Sequence, residues 1–233
     1  MTIAYLIDSW PDKNLPLLGR ELKEMRRRQV AILPIVCELN SGIRITEAMG
    51  KTAVSLEFLP DAMVVEAEWR ANQKLAQKLE EDRVLQSIRA PSAMFLRQAR
   101  FALVIAKLLQ ERNISHVHAT SSSALLCALI LKKLLNVTVS ATIEARPRLS
   151  REWIQNAMSE CIGGRVRDRK LGHGRAFLID KTTFRSAPQQ ALGFVAQKSG
   201  IDLTAGANFW QEWAKLLTGW ARDGKKSRIR DHK

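Results

Sequence analysis

Short apolar runs alternate with amphipathic stretches along most of this sequence, and few architectures accommodate that pattern. Ile3 to Asp8 (IAYLID), Ala31 to Leu39 (AILPIVCEL), Ala53 to Leu59, His116 to Thr120 and Val137 to Ile143 have the length and composition of buried strands. Pro34 points to an edge position or a bulge in the second run, because it lacks a backbone donor. Between the strands, Leu17 to Arg28 reads as a helix with Leu18, Leu22 and Met25 on one stripe and Arg26, Arg27 and Arg28 in its last turn, where cations suit the helix dipole. Two longer helices are expected over Ala62 to Arg89 and Ala93 to Arg112, divided near Pro91, and another over Ala124 to Leu135. This β-α-β-(αα)-β-α-β succession predicts an α/β fold: a mainly parallel sheet with helices on both faces. In such sheets ligands bind beyond the carboxyl ends of the strands. The informative loops are then Ser9 to Pro16, Ala119 to Ser123 and Glu144 to Ser150.

After Ala145 the composition changes. Residues 146–175 hold eight Lys/Arg against three acids, with Gly163, Gly164, Gly172 and Gly174 among them. The reading here is a helix over Arg151 to Cys161, a flexible basic loop, a strand over Arg175 to Asp180 and a helix around Pro188 to Ser199. A final helix, Ala207 to Arg222, places Trp210, Trp213, Leu217 and Trp220 on one face, as core packing or as a partner or membrane surface. Residues 223–233 read as a disordered basic tail.

Composition bounds the function classes. With 233 residues, 46% of them hydrophobic, the chain can build a core without disulfides or a metal. Its three cysteines, Cys37, Cys127 and Cys161, are far apart and sit among apolar neighbours, which fits neither a disulfide framework nor a zinc site and suits a reducing cytosol. No basic leader precedes the first strand, and the longest apolar run, Ala124 to Leu135, is short of the ~20 residues a membrane span needs. A cytoplasmic protein is expected, at most peripheral at the inner membrane face. The net charge of +14 favours anionic partners. The absence of a recognition motif or of aromatics interleaved with the bases argues against nucleic acid.

Several residues are candidates for chemistry. Ser9, Asp12, Lys13 and Asn14, in the first strand-to-helix loop, either line a cleft for an acceptor or phosphate or act as caps and turn residues. His118, with Ser121, Ser122 and Ser123 at the next strand-to-helix junction, offers groups for a sugar hydroxyl or phosphate, or is a half-buried histidine beneath a capped helix. His116 lies on the same side of that strand, and two histidines alone make no metal site. Asp8 closes an apolar strand, where functional acids and loop caps both occur. The run Arg165 to Arg175, with Arg165, Arg167, Arg169 and Lys170, joins Arg26, Arg27 and Arg28 as a candidate surface for anionic lipid, a lipid-linked diphosphate or nucleic acid, or is an ordinary solvated loop. No GxGxxG, GxSxG or HExxH pattern is present.

The opening IAYLIDSWPDKNLPLLGRELKEMRRRQVAILPIVCEL resembles that of family-4 glycosyltransferases, in which the first strand leads to a Phe-Pro-x-x-Ser-Glu-Thr-Phe loop and a helix of the type ExxxLxxxG. Trp10-Pro11 stands for the Phe-Pro, and Glu21 to Arg27 follows the helix pattern. A second stretch, ERNISHVHATSSSALLCALILKKLLNVTVSATIEA, is similar to the family's His-Val-His-Ala-His strand, its helix and the following strand. The resemblance covers about residues 3–145. It implies a Rossmann-like domain of the kind found on the acceptor side of GT-B transferases, with metal-independent chemistry and a nucleotide sugar as donor. It also implies that Trp10, Thr120 and Glu144 join Ser9, Asp12, Lys13, Asn14, His118 and Ser121 along the acceptor cleft.

The departures have consequences. Asn14-Leu15-Pro16 replaces Ser-Glu-Thr, Thr120 replaces the second histidine, and the histidine near the acceptor falls on Ile143 or Glu144. Glu152 and Glu160 have the family's E-x7-E spacing, but so do Glu144 and Glu152, and the Gly-Phe-Gly context is absent. The residues after Ala145 are too few for a second Rossmann domain, so residues 146–222 are expected to complete or extend the first. The expected function is the acceptor-side half of a GT-B glycosyltransferase in polysaccharide or glycolipid synthesis, with a sugar or lipid-linked acceptor and a donor-domain partner chain. The alternative is a non-catalytic domain of the same fold that binds an anionic ligand or a partner protein.

Overall fold

The apolar runs become the strands of one seven-stranded sheet, in the order β3-β2-β1-β4-β5-β6-β7. The computed structural model describes residues 1–10, 15–39, 55–88, 91–144, 150–168, 175–180 and 207–231. β1 (Ile3–Trp10), β2 (Ile32–Leu39), β3 (Glu57–Phe58), β4 (His116–Ala119), β5 (Thr138–Glu144) and β6 (Gly163–Asp168) are parallel, and β7 (Arg175–Asp180) is antiparallel to β6. The fold is α/β and Rossmann-like. Its order reverses between β1 and β4, so the connections that follow these paired strands run to opposite faces of the sheet there. β3 pairs with β2 only at Ile35 and Val36, which leaves Pro34 beyond the ladder on that side and explains how a proline is tolerated one strand from the edge.

One face of the sheet is covered by α5 (Ser92–Glu111), α6 (Ser122–Leu135) and α7 (Arg151–Ser159), together with three shorter helices: α2 (Ala62–Ala71), α3 (Gln73–Glu81) and α4 (Arg83–Ser87). Ala4, Leu6, Val117, Ala119, Val139 and Ala141 point into this larger core. The other face is covered by α1 (Leu15–Arg27), through Leu18, Leu22 and Met25, and by α8 (Ala207–Asp231), through Trp213, Leu217 and Ala221. Gln29, Asn113 and Asn136 follow α1, α5 and α6 in the left-handed region at φ 57°, 50° and 52°. Each turns the chain out of a helix toward the next strand. Among the described residues no helix is long and apolar enough to cross a membrane.

Four expectations need correction. The helix expected over residues 62–89 is three helices, because the Asn72 side chain donates to the Glu68 carbonyl at 2.9 Å and Asp82 accepts from the N–H groups of Val84 and Leu85 at 2.9 and 3.0 Å. Capping groups such as these stop one helix and start the next. The strand expected over 53–59 is only Glu57–Phe58, with residues 53–54 outside the described range. The basic segment from Arg165, expected as a loop, begins as β6, where a Cβ at Gly163 would lie 2.2 Å from Trp220. Only glycine lets α8 approach that closely. Finally, α8 stays helical to Asp231, past the start of the expected disordered tail, since Lys and Arg are good helix formers and no proline interrupts them. The helix expected around 188–199 lies outside the described residues.

Candidate functional site

The α8 face of β4 and β5 is polar although it is buried. His116 and His118 on β4 and Ser140 and Thr142 on β5 are each at most 2% exposed, while the alternate residues Val117, Val139 and Ala141 face the apolar core. Arg165 of β6 and Glu21 of α1, both 1% exposed, complete the row. The hydrogen bonds run as one file: Arg165 Nε to Thr142 Oγ1 at 2.6 Å, Thr142 to His118 Nε2 at 3.0 Å, His118 Nδ1 to Ser140 Oγ at 2.9 Å, Ser140 to His116 Nε2 at 2.9 Å, and His116 Nδ1 to Thr138 Oγ1 at 2.8 Å. Arginine only donates, so one direction of donation satisfies every member. Thr142 then donates to His118 Nε2, both imidazoles carry the proton on Nδ1, and Thr138 donates to the Ser115 carbonyl at 3.2 Å.

Arg165 is ion-paired with Glu21, whose Oε1 also accepts from Tyr5 at 3.2 Å and from Trp213 Nε1 at 3.0 Å. The guanidinium sits 4.5 Å over the Trp213 ring. Burial, and secondarily the Glu21 carboxylate, push the Tyr5 hydroxyl well above its ordinary range, so it stays a donor. Burial likewise pushes His116 down to about 3, so it is neutral. A buried pair such as Arg165–Glu21 adds little over an apolar substitute, but removing one partner costs about 3–5 kcal/mol. The file therefore fixes where α1 and α8 seat on the sheet.

This placement corrects three expectations. His118 is fully buried with both ring nitrogens engaged, so it has no nitrogen to give a ligand. Arg165 belongs to the interior and not to an anionic surface. Trp10 is buried in the α1/α8 core because it packs with Leu18, Leu22 and Trp210. Thr120 and Ser121 are at the junction expected of them, but Thr120 donates to the Leu6 carbonyl at 2.8 Å and Ser121 caps α6 by accepting from Ala124 at 3.1 Å. Trp213 and Trp210 are core, as the stripe suggested. Glu160 ends α7 and pairs with Lys132 at 2.8 Å, and Glu152 is exposed in the first turn of the same helix. Arg26 and Arg27 are exposed in the last turn of α1, followed by Arg28. Asp12, Lys13, Asn14, Arg169 and Lys170 lie outside the described residues, as do the side chains of Glu144 and Arg167.

At the carboxyl edge the strand ends bring together a different set. Arg97 of α5 reaches over the carboxyl ends of β1 and β2 and donates from one terminal nitrogen to Asp8 at 3.3 and 3.4 Å, and from the other to Glu38 at 3.2 Å. Gln98 Nε2 donates to Asp8 at 2.9 Å. Among the described residues Gln98 Oε1 and Arg97 Nε, both buried, have no hydrogen-bond partner. The Asp8, Arg97 and Glu38 side chains are 23%, 42% and 51% exposed, and half-buried Ser9 follows Asp8 on β1 and pairs in register with Glu38. One cation between two carboxylates, open to solvent at the ends of β1 and β2, can exchange hydrogen bonds with ligand hydroxyls. Sequence reasoning singled out Ser9 and Asp8 but missed Arg97, Gln98 and Glu38. The available signal was Gln98 within the apolar stripe of α5, as Glu21 lies within that of α1. Among the described residues no three His, Cys, Asp or Glu side chains are grouped to hold a metal.

No protein-family model matches the chain, and no curated protein does.

Proposed function

We propose that the chain is the acceptor-binding half of a GT-B-type glycosyltransferase and takes a neutral, hydroxyl-rich sugar at the carboxyl edge of its sheet. The observation that carries this reading is the Asp8–Arg97–Glu38 bridge over the carboxyl ends of β1 and β2, beside the β1/β4 switch point near which α/β sheets present their ligand sites. The sequence resemblance over β1–α1 and β4–α6–β5 points to the same edge. The local charge of these three side chains is net negative, which favours a neutral acceptor there over the anionic ligand of the non-catalytic alternative. Carbohydrate hydroxyls both donate and accept, and the bridge supplies carboxylate acceptors beside guanidinium donors. The described residues form a single sheet, and on this reading the nucleotide sugar is held by a facing domain from another segment or partner chain.

The test is calorimetric titration with a panel of neutral oligosaccharides. Arg97→Ala should weaken the best binder about tenfold or more. Arg70→Ala, which removes the exposed i,i+4 pair with Glu66, should leave it unchanged. Equal affinities for wild type and Arg97→Ala would remove the carboxyl edge as the acceptor site.

A further inference from the structure

A second opening lies at the opposite, amino-terminal edge of the sheet. It is a cleft of about 620 Å³ between the turn after α1 and the last turns of α8, lined among others by Arg28, Gln29, Val30, Thr218, Arg222 and Lys225. That volume is within the ~300–1,000 Å³ of small-molecule sites. None of the residues lining it is acidic. Arg28 is held by Glu24, but Arg222 and Lys225 are exposed and make no ion pair among the described residues.

The surroundings reinforce the imbalance. The outer surface of α1 adds the exposed cations Arg20, Lys23, Arg26 and Arg27. In the opposite layer four cations are ion-paired, Arg70 and Arg100 with Glu66, Lys107 with Glu68 and Lys133 with Asp82. Among the described residues, exposed cations of α1 and α8 thus gather around a recess, which focuses their potential.

The cleft is also held in shape. Gly224 sits between Arg222 and Lys225, and a Cβ there would lie 2.4 Å from Thr138 Oγ1 and 2.8 Å from the Ser115 carbonyl oxygen. That close seat presses the last turns of α8 onto the amino ends of β4 and β5. Gln29, at φ 57°, fixes the facing turn, where Val30 N–H donates to the Met25 carbonyl at 3.0 Å. Two like charges are thus kept beside one recess that no acidic side chain lines, an arrangement that an anion complements.

We propose that this amino-edge cleft binds a phosphate-bearing ligand through Arg222, Lys225 and Arg28, at a site separate from the acceptor edge. Phosphate matches the donor set: guanidinium groups bind it in a forked geometry and the ammonium as a point charge. The phosphate is either that of a soluble compound or a lipid headgroup.

Inorganic pyrophosphate, titrated into the full chain by calorimetry, tests the site. Saturable binding is expected, reduced about tenfold or more in Arg222→Glu/Lys225→Glu. The control Lys74→Glu/Lys78→Glu makes the same charge change on exposed residues of the other layer and should retain binding. Matching thermal midpoints certify that both variants are folded. Absence of saturable binding overturns the proposal, and so do equal losses in the two variants or none in the first. Cosedimentation with vesicles of phosphatidylcholine and phosphatidylglycerol in equal parts, reversed by pyrophosphate, would assign the phosphate to lipid. Failure to cosediment would assign it to a soluble compound.

Discussion

His116 is held neutral between Thr138 and Ser140, and this position makes the fold sensitive to acid. Burial lowers its folded pKa from 6.5 to about 3. Between those values the unfolded chain binds a proton that the folded chain refuses, so the contribution is intact above pH 6.5 and is lost progressively toward pH 3. Each unit within that window costs about 1.4 kcal/mol, or about 2 kcal/mol by about pH 5, above the range where most carboxylates titrate. Urea unfolding at about pH 7 and about pH 5 should show wild type losing about 2 kcal/mol more than His116→Asn, which has no titrating ring. Identical pH dependence in the two proteins would contradict the burial. The sequence made His116 and His118 legible as a same-side pair, because strand alternation is local. It did not reveal their role, since the partners Ser140, Thr142 and Arg165 come from strands 22 or more residues away.

Helix α8 shows how two glycines in one element obey opposite rules. Gly219 has nothing within 4 Å of its would-be Cβ, whereas Gly224 abuts Thr138 and the Ser115 carbonyl. Gly219→Ala should therefore stabilise by about 0.5–1 kcal/mol through helix propensity alone. Gly224→Ala gains the same propensity but must lift α8 from the sheet, and it should destabilise by about 1–3 kcal/mol as other overpacked sites do. Chemical denaturation of the two variants checks the pair, and a stabilised Gly224→Ala would show that α8 is not seated this way. The major elements from β1 through β5 were legible because their apolar periods are strong. β6 was not: Gly163, Gly164 and Arg165 carry no strand signal, and the strand exists because glycine admits Trp220 and Met158 and because Arg165 finds Glu21. The breaks at Asn72 and Asp82 were hidden for a related reason, being made by single capping side chains inside a continuous helical period.

Across the whole molecule the two sheet edges differ in chemistry. The carboxyl edge has a cation bridged between Asp8 and Glu38, and the amino edge has cations with no acid lining their cleft. The strand succession was enough to point to the carboxyl edge, because the switch point follows from topology. The residues that build the site were not legible, since Arg97 arrives from α5, 89 residues after Asp8. On this account the chain supplies an acceptor edge and the structural face beneath α8, and the donor site is built elsewhere. Calorimetric titration of the isolated chain with UDP- and GDP-sugars, at low and high salt, tests that division most directly. The account predicts no saturable binding at high salt, with any low-salt heat confined to the amino-edge cations and abolished by Arg222→Glu/Lys225→Glu. Saturable, salt-resistant binding of one nucleotide sugar would contradict it, because the donor site would then lie within this chain.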